Sequence, residues 1–170
     1  SSTFFKSSYD LSKNNNNVAI IGGGDGGVAR ECLDNSTNYI DWYELDPEIV
    51  ESCYRHLPKV CSKVKKSNTV NTFWGDAFES IKSVENSKYD KIFVDLNDDQ
   101  YCIDLARKNM KALKRILKPG GIITAQVGSK DKKPKQVESW CKVLEKSFGN
   151  VNVTGIYIPS FDCNWNFASS

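Results

Sequence analysis

The sequence is short of metal ligands. It has one histidine, His56, no Cys-x-x-Cys pair and no His at zinc-ligand spacing, which excludes a Cys2His2 structural zinc site. It lacks a surplus of either charge: 23 Lys+Arg against 21 Asp+Glu leave a net charge of +2. A dedicated nucleic-acid binder carries a strong basic excess. No apolar run approaches the roughly 20 residues that a membrane span needs. The opening SSTFFKSSYD has no basic start, apolar stretch or cleavage site, so no secretory peptide is expected. Six cysteines (Cys32, Cys53, Cys61, Cys102, Cys141 and Cys163) form no paired framework and read as thiols of a cytoplasmic protein rather than three disulfides.

What is present is ordinary globular composition, 39% hydrophobic and 26% charged over 170 residues. That length suggests one domain able to remove about 70% of its unfolded surface from water. Residues 1–17, with four consecutive Asn, read as a polar N-terminal remnant. From residue 18 onward, strand and helix patterns alternate. Apolar, β-branched runs at 18–21, 40–45, 69–74, 89–96 and 122–127 predict five strands. Helical patterns follow the Gly-rich stretch, Asp46-Pro47 (ending before Pro58), Asp76 (DAFESIKSV), residues 103–117 and residues 135–148. LKPGG at 117–121 is read as the stop of the fourth helix. Residues 151–158 and 165–169 read as two closing strands joined by a Pro-containing turn, with no helix between them. The expectation is α/β: a mostly parallel sheet with helices on both faces and an antiparallel C-terminal edge.

The segment Ile21-Gly22-Gly23-Gly24-Asp25-Gly26-Gly27 carries G-x-G-x-x-G at Gly22, Gly24 and Gly27, between a strand and a helix. Such glycines let the chain turn tightly and let a ligand approach the backbone. Glu44, twenty residues after Gly24 at the end of the next strand, is placed to take ribose hydroxyls. An adenosine-type ligand follows. Asp25 lies inside the turn, where a pyrophosphate would meet a like charge. NAD and FAD are therefore disfavoured and an ammonium group favoured, with a plain helix cap as the other reading of Asp25.

Asp76 with Ala77 follows the third strand, Asp95 ends the fourth, and Asp98 and Asp99 come next. Open α/β sheets bind ligands at the carboxyl ends of their strands, so Asp25, Glu44, Asp76, Asp95 and Asp98 should ring one crevice. That crevice suits a cation, with no metal-ligand pattern, and one of its carboxylates could take a proton from an amine. Asp95 as a turn residue capping the next helix is the competing reading. Trp42, Trp74 and Trp140 read as core residues, with Trp74 also placed to stack on adenine. The Lys63–Lys66 and Lys130–Lys135 clusters read as solvated loops.

These residues resemble the polyamine aminopropyltransferases, the spermidine, spermine and thermospermine synthases. The resemblance rests on AIIGGGDGGVARE (19–31), YELDP (43–47), WGDA (74–77), DLNDD (95–99), LKPGG (117–121), the Gln126 strand and IPSF (158–161). It implies a seven-stranded, Rossmann-like methyltransferase-type fold over residues 18–170, without the family's N-terminal β domain. It implies decarboxylated S-adenosylmethionine as co-substrate, no tightly bound cofactor, and release of methylthioadenosine. By resemblance, Gly22, Gly24 and Gly27 form the nucleoside turn, Glu44 holds the ribose, Asp76 with Ala77 the adenine edge, and Asp25 the aminopropyl ammonium. Asp95 is the catalytic acid that deprotonates the attacking amine, and Asp98, Gln126 and Phe161 belong to the acceptor. The partner is a small polyamine, not nucleic acid or membrane, and the resemblance leaves room for a homodimer.

The sequence departs from the family in two places. Asp98-Asp99-Gln100-Tyr101-Cys102 has neither the Pro nor the Gly usual in the loop after the catalytic acid. Phe161 stands where spermidine synthases carry Tyr, and the ending IPSFDCNWNFAS, with Trp165, is closer to the thermospermine and spermine synthase versions. Two rivals stand beside this reading. One is an S-adenosylmethionine-dependent methyltransferase, whose co-substrate carboxylate Asp25 would repel. The other is a non-catalytic module of the same fold.

Overall fold

The computed structural model describes residues 17–22, 39–44, 70–96, 100–128, 131–149, 151–158 and 163–169. Seven strands form one sheet: β1 (Asn17–Gly22), β2 (Tyr39–Glu44), β3 (Val70–Trp74), β4 (Tyr89–Asp95), β5 (Leu117–Gly128), β6 (Asn152–Ile158) and β7 (Cys163–Ser169). Their spatial order is β3-β2-β1-β4-β5-β7-β6. The first five run parallel. β7 lies antiparallel to both β5 and β6. This is the α/β architecture expected, with its antiparallel C-terminal edge.

Both faces of β1, β2, β4 and β5 are buried, as a sheet covered on two sides requires. Ala19, Ile21, Ile92, Val94, Ile123 and Ala125 point into one core, while Val18, Ile20, Ile40, Trp42 and Phe93 are buried on the opposite face. Helices α2 (Gln100–Ile116) and α3 (Pro134–Phe148) cover the first face. Each turns an apolar stripe inward: Ile103, Ala106, Met110 and Leu113 from α2, and Val137, Trp140 and Leu144 from α3. That is the 3–4 residue spacing of an amphipathic helix. Pro134 opens α3 at a position where a missing N–H costs nothing.

Two expectations are corrected. The single helix over DAFESIKSV is instead a short α1 (Ala77–Ser80) followed by a 3-10 turn at Ile81–Ser83. The turn is fastened by Arg115 of α2, whose guanidinium donates to the carbonyls of Val84 at 2.6 Å and Ile81 at 3.0 Å. The second correction is LKPGG, which does not merely end a helix. α2 stops at Ile116 and β5 begins at once, Leu117 pairing with Tyr89. The register then jumps to Lys91 opposite Ile122. Residues 118–121 are thus a bulge inside the strand, with Gly120 at φ +79 and Gly121 packed where a Cβ would meet Asp90 O at 2.9 Å.

Candidate functional site at the carboxyl ends of the strands

The parallel strands end together. Gly22 stands opposite Asp95, Glu44 opposite Trp74, and the pairing of Val94 with Ala125 brings Asp95 beside Gln126. Register partners share a sheet face, so Glu44, Gly22, Asp95 and Gln126 form one row, with strands spaced about 4.8 Å apart. Two carboxylates flank the one position without a side chain. Glu44 and Asp95 are therefore about 10 Å apart at their Cα atoms, two strand spacings.

Gly22 makes this possible. Its φ is +87, and a Cβ there would fall 2.2 Å from the carbonyl oxygen of Asp95. No L side chain fits that space or that backbone angle. The Gly22 carbonyl is held from the other side by the indole Nε1–H of Trp42, a fully buried residue two before Glu44. The backbone of Glu44 is fixed in turn, its carbonyl accepting from Gly75 N at 3.1 Å. Glu44 itself is buried, so a hydroxyl brought against its carboxylate would meet it in a low-dielectric setting.

Asp76 is exposed and caps α1. Its Oδ1 accepts from Phe78 N at 2.9 Å and Glu79 N at 3.3 Å, the standard use of Asp at an N-cap. Ala77 is buried beneath it. Gln126 carries an unexplained group: its Oε1 is enclosed and, among the described residues, has no hydrogen-bond donor. A buried acceptor without a partner costs free energy, on the order of 1–3 kcal/mol. An N–H brought by a ligand would remove that cost.

A second polar group sits behind the site, between β2 and β4. The carboxylate of Asp41 is 1% exposed. It accepts from the Tyr89 hydroxyl at 2.6 Å and from Asn71 Nδ2 at 3.2 Å, and it pairs with Lys88 Nζ at 3.4 Å. The Tyr43 hydroxyl lies 2.5 Å from that of Tyr89. Burial, reinforced for Tyr89 by its bonds to Asp41 and Tyr43, pushes both phenols above their ordinary pKa. Lys88 is pulled down by burial, but Asp41 and Tyr39 outweigh this and raise it.

Gly22, Glu44, Asp95 and Gln126 are thus brought together, and Asp76 with Ala77 follows directly after β3. Gly24, Asp25, Gly27, Asp98 and Phe161 lie outside the described residues, as does Asp46. The side chain of Trp74 is likewise not described; Trp42 and Trp140 are core residues, as expected. Trp42 as the support of Gly22 was not legible in the sequence, where it reads only as an apolar strand position. Among the described residues, Cys102 and Cys141 are thiols, and no cluster of three or more His, Cys, Asp or Glu side chains could hold a metal ion. Among them, too, no helix is long and apolar enough to cross a membrane.

Residues 4–170 match the family described as the spermine/spermidine synthase domain. A polyamine aminopropyltransferase of Prochlorococcus marinus (strain MIT 9215) is 29% identical over 160 residues, covering 91% of this chain and 56% of that protein. The chain spans about half the length of the curated relatives it matches. The spermidine synthase of Thermotoga maritima superposes with a TM-score of 0.83 at 20% identity, over 94% of this chain and 55% of that one. A spermidine synthase bound to the transition-state analogue AdoDATO gives a TM-score of 0.81 at 20% identity, over 94% of this chain and 54% of that one. These two structures have the fold described above.

Proposed function

The chain belongs to the spermine/spermidine synthase family, and from that premise we propose that it is an aminopropyltransferase domain. It moves the aminopropyl group of decarboxylated S-adenosylmethionine to a polyamine acceptor and releases methylthioadenosine. The observation that carries this reading is the row Glu44, Gly22, Asp95, Gln126 at the strand ends. Two acids flank a gap without a side chain, with an acceptor beside them that no described residue satisfies.

In this reading Glu44 takes the ribose hydroxyls, and the backbone of Gly22, Gly24 and Gly27 turns beneath the nucleoside. Asp76 faces the adenine edge with its remaining oxygen, over Ala77. Asp25 holds the donor ammonium, and Asp98, Gln126 and Phe161 bind the acceptor. The amine nitrogen attacks the carbon beside the sulfonium. A C–N bond forms, the C–S bond breaks, and the electron pair stays on sulfur as a neutral thioether. The amine must surrender a proton to attack, and Asp95 takes it. No resident cofactor is needed: the donor is a co-substrate. The reading also carries a cytoplasmic location, small-molecule rather than nucleic-acid or membrane partners, and a homodimer.

Calorimetric titration tests it. Decarboxylated S-adenosylmethionine should bind more tightly than S-adenosylmethionine, because Asp25 attracts the ammonium and repels the carboxylate. Tighter binding of the carboxylated form would make the domain a methyltransferase. Binding of both without methylthioadenosine release in the presence of putrescine or spermidine would make it a non-catalytic module.

A further inference from the structure

The chain's balanced charge conceals a segregation. α2 carries five cationic residues and one acid, and α3 three and two. The two helices pack side by side, and between their outer faces runs a groove of about 800 Å³. Asp104 neutralises Arg107 at 2.8 Å, and Glu138 neutralises Lys142 at 3.0 Å. Lys108, Lys111, Lys114 and Lys146 also line the groove, and among the described residues no carboxylate pairs with them.

A solvated helix face explains only part of this. Lys114 and Lys146 lie in last turns, where a cation suits the helix dipole. Lys108 and Lys111 lie mid-helix and gain nothing from it. Lys111 has cations three or four residues away on both sides: Arg107, Lys108, Lys114 and Arg115. Like charges at those spacings destabilise a helix, and an anionic partner would relieve the repulsion. Met110 and Val143 close the floor between the lysines but are only 4% and 5% exposed, so the groove presents charge and little apolar surface. No aromatic side chain lines the groove, so it offers no platform for stacked bases. From Lys108 to Lys114 the basic stripe runs about 9 Å, roughly two turns of a docked helix.

We propose that the α2–α3 groove is a docking surface for an acidic peptide segment of a partner protein. Glutamates or aspartates of the segment meet the four lysines. The surface is separate from the acid-lined strand ends and does not depend on the reaction proposed there.

The test is fluorescence polarisation with a labelled twelve-residue peptide of Glu and Leu at helical spacing. A twelve-nucleotide oligouridine is the competing probe. The peptide should bind, more weakly as salt rises. A variant with Lys108→Gln, Lys111→Gln, Lys114→Gln and Lys146→Gln should lose at least tenfold in affinity. Those residues are exposed, so its melting temperature should match the parent's. Unchanged peptide affinity in the variant would overturn the proposal. Tighter binding of the oligouridine through the same four lysines would also overturn it and make the groove a nucleic-acid site.

Discussion

Gly22 and Asp95 interlock at the ends of β1 and β4: the glycine leaves open the space that the Asp95 carbonyl occupies, 2.2 Å from where a Cβ would stand. Turn and acid are therefore one unit. Gly22→Ala must push β4 away and hold an L residue at φ +87. We expect a loss of about 1–3 kcal/mol from overpacking alone, together with weaker nucleoside binding because the backbone turn at Gly22 is displaced. Urea unfolding and titration with methylthioadenosine measure the two effects. A stable variant with unchanged binding would separate the turn from the acid.

Asp95→Asn keeps the size of the side chain and removes its basicity. Aminopropyl transfer should fall by about 10²–10⁴, the range of a lost general base, while methylthioadenosine binds within a few-fold of the parent. Turnover that survives in this variant would remove Asp95 from its role.

Gln126 separates a ligand contact from a structural one. Among the described residues no donor reaches its buried Oε1, so Gln126→Met should be neutral or stabilising in thermal unfolding. The same change should raise KM for the acceptor amine. A structural glutamine would behave in the opposite way, losing stability and leaving KM alone.

Much of this was legible because strand ends can be read from composition. Apolar runs close on Gly22, Glu44 and Asp95, which places those residues at carboxyl ends by sequence alone. Which ends are neighbours was not legible. β1 lies between β2 and β4 through crossovers, and nothing local in the sequence encodes that order. Asp41 was missed for a similar reason. In YIDWYE it reads as the polar half of an alternating strand, whereas Tyr89 and Lys88, nearly fifty residues on, make it a buried anion. LKPGG reads as punctuation, and only pairing with β4 converts it into a bulge.

Asp76 serves α1 as well as the proposed adenine contact, and two substitutions tell these apart. Asp76→Ala removes the bonds to Phe78 N and Glu79 N and should cost about 1 kcal/mol. Asp76→Asn keeps a capping oxygen and should preserve the melting temperature. Nucleoside affinity should drop in the alanine variant by more than its stability loss explains. Equal affinities in the parent and both variants would leave Asp76 a cap only.

The tyrosine pair predicts an alkaline limit. Tyr43 and Tyr89 have folded pKa values above the usual 10, raised first by burial. Below about pH 10 both phenols are neutral in either state and the stabilisation is complete. Above that pH the unfolded chain releases protons that the folded chain retains, so stability falls as pH rises. Lys88 adds in the same direction: its folded pKa is raised, so above the unfolded value the folded chain still holds the proton and the pairing with Asp41, and that contribution is lost as the pH rises through the raised folded value. Melting temperature should therefore decline from about pH 10 upward, with the share of tyrosinate absorbance that belongs to Tyr43 and Tyr89 appearing only as the chain unfolds, and exposed tyrosines such as Tyr101 contributing apart from it. Tyr89→Phe should flatten that decline. It should also cost about 1.5–3 kcal/mol at neutral pH, because Asp41 loses a hydrogen bond to a buried charge. A parent whose melting temperature stays level to pH 11 would show that the phenols ionise in place.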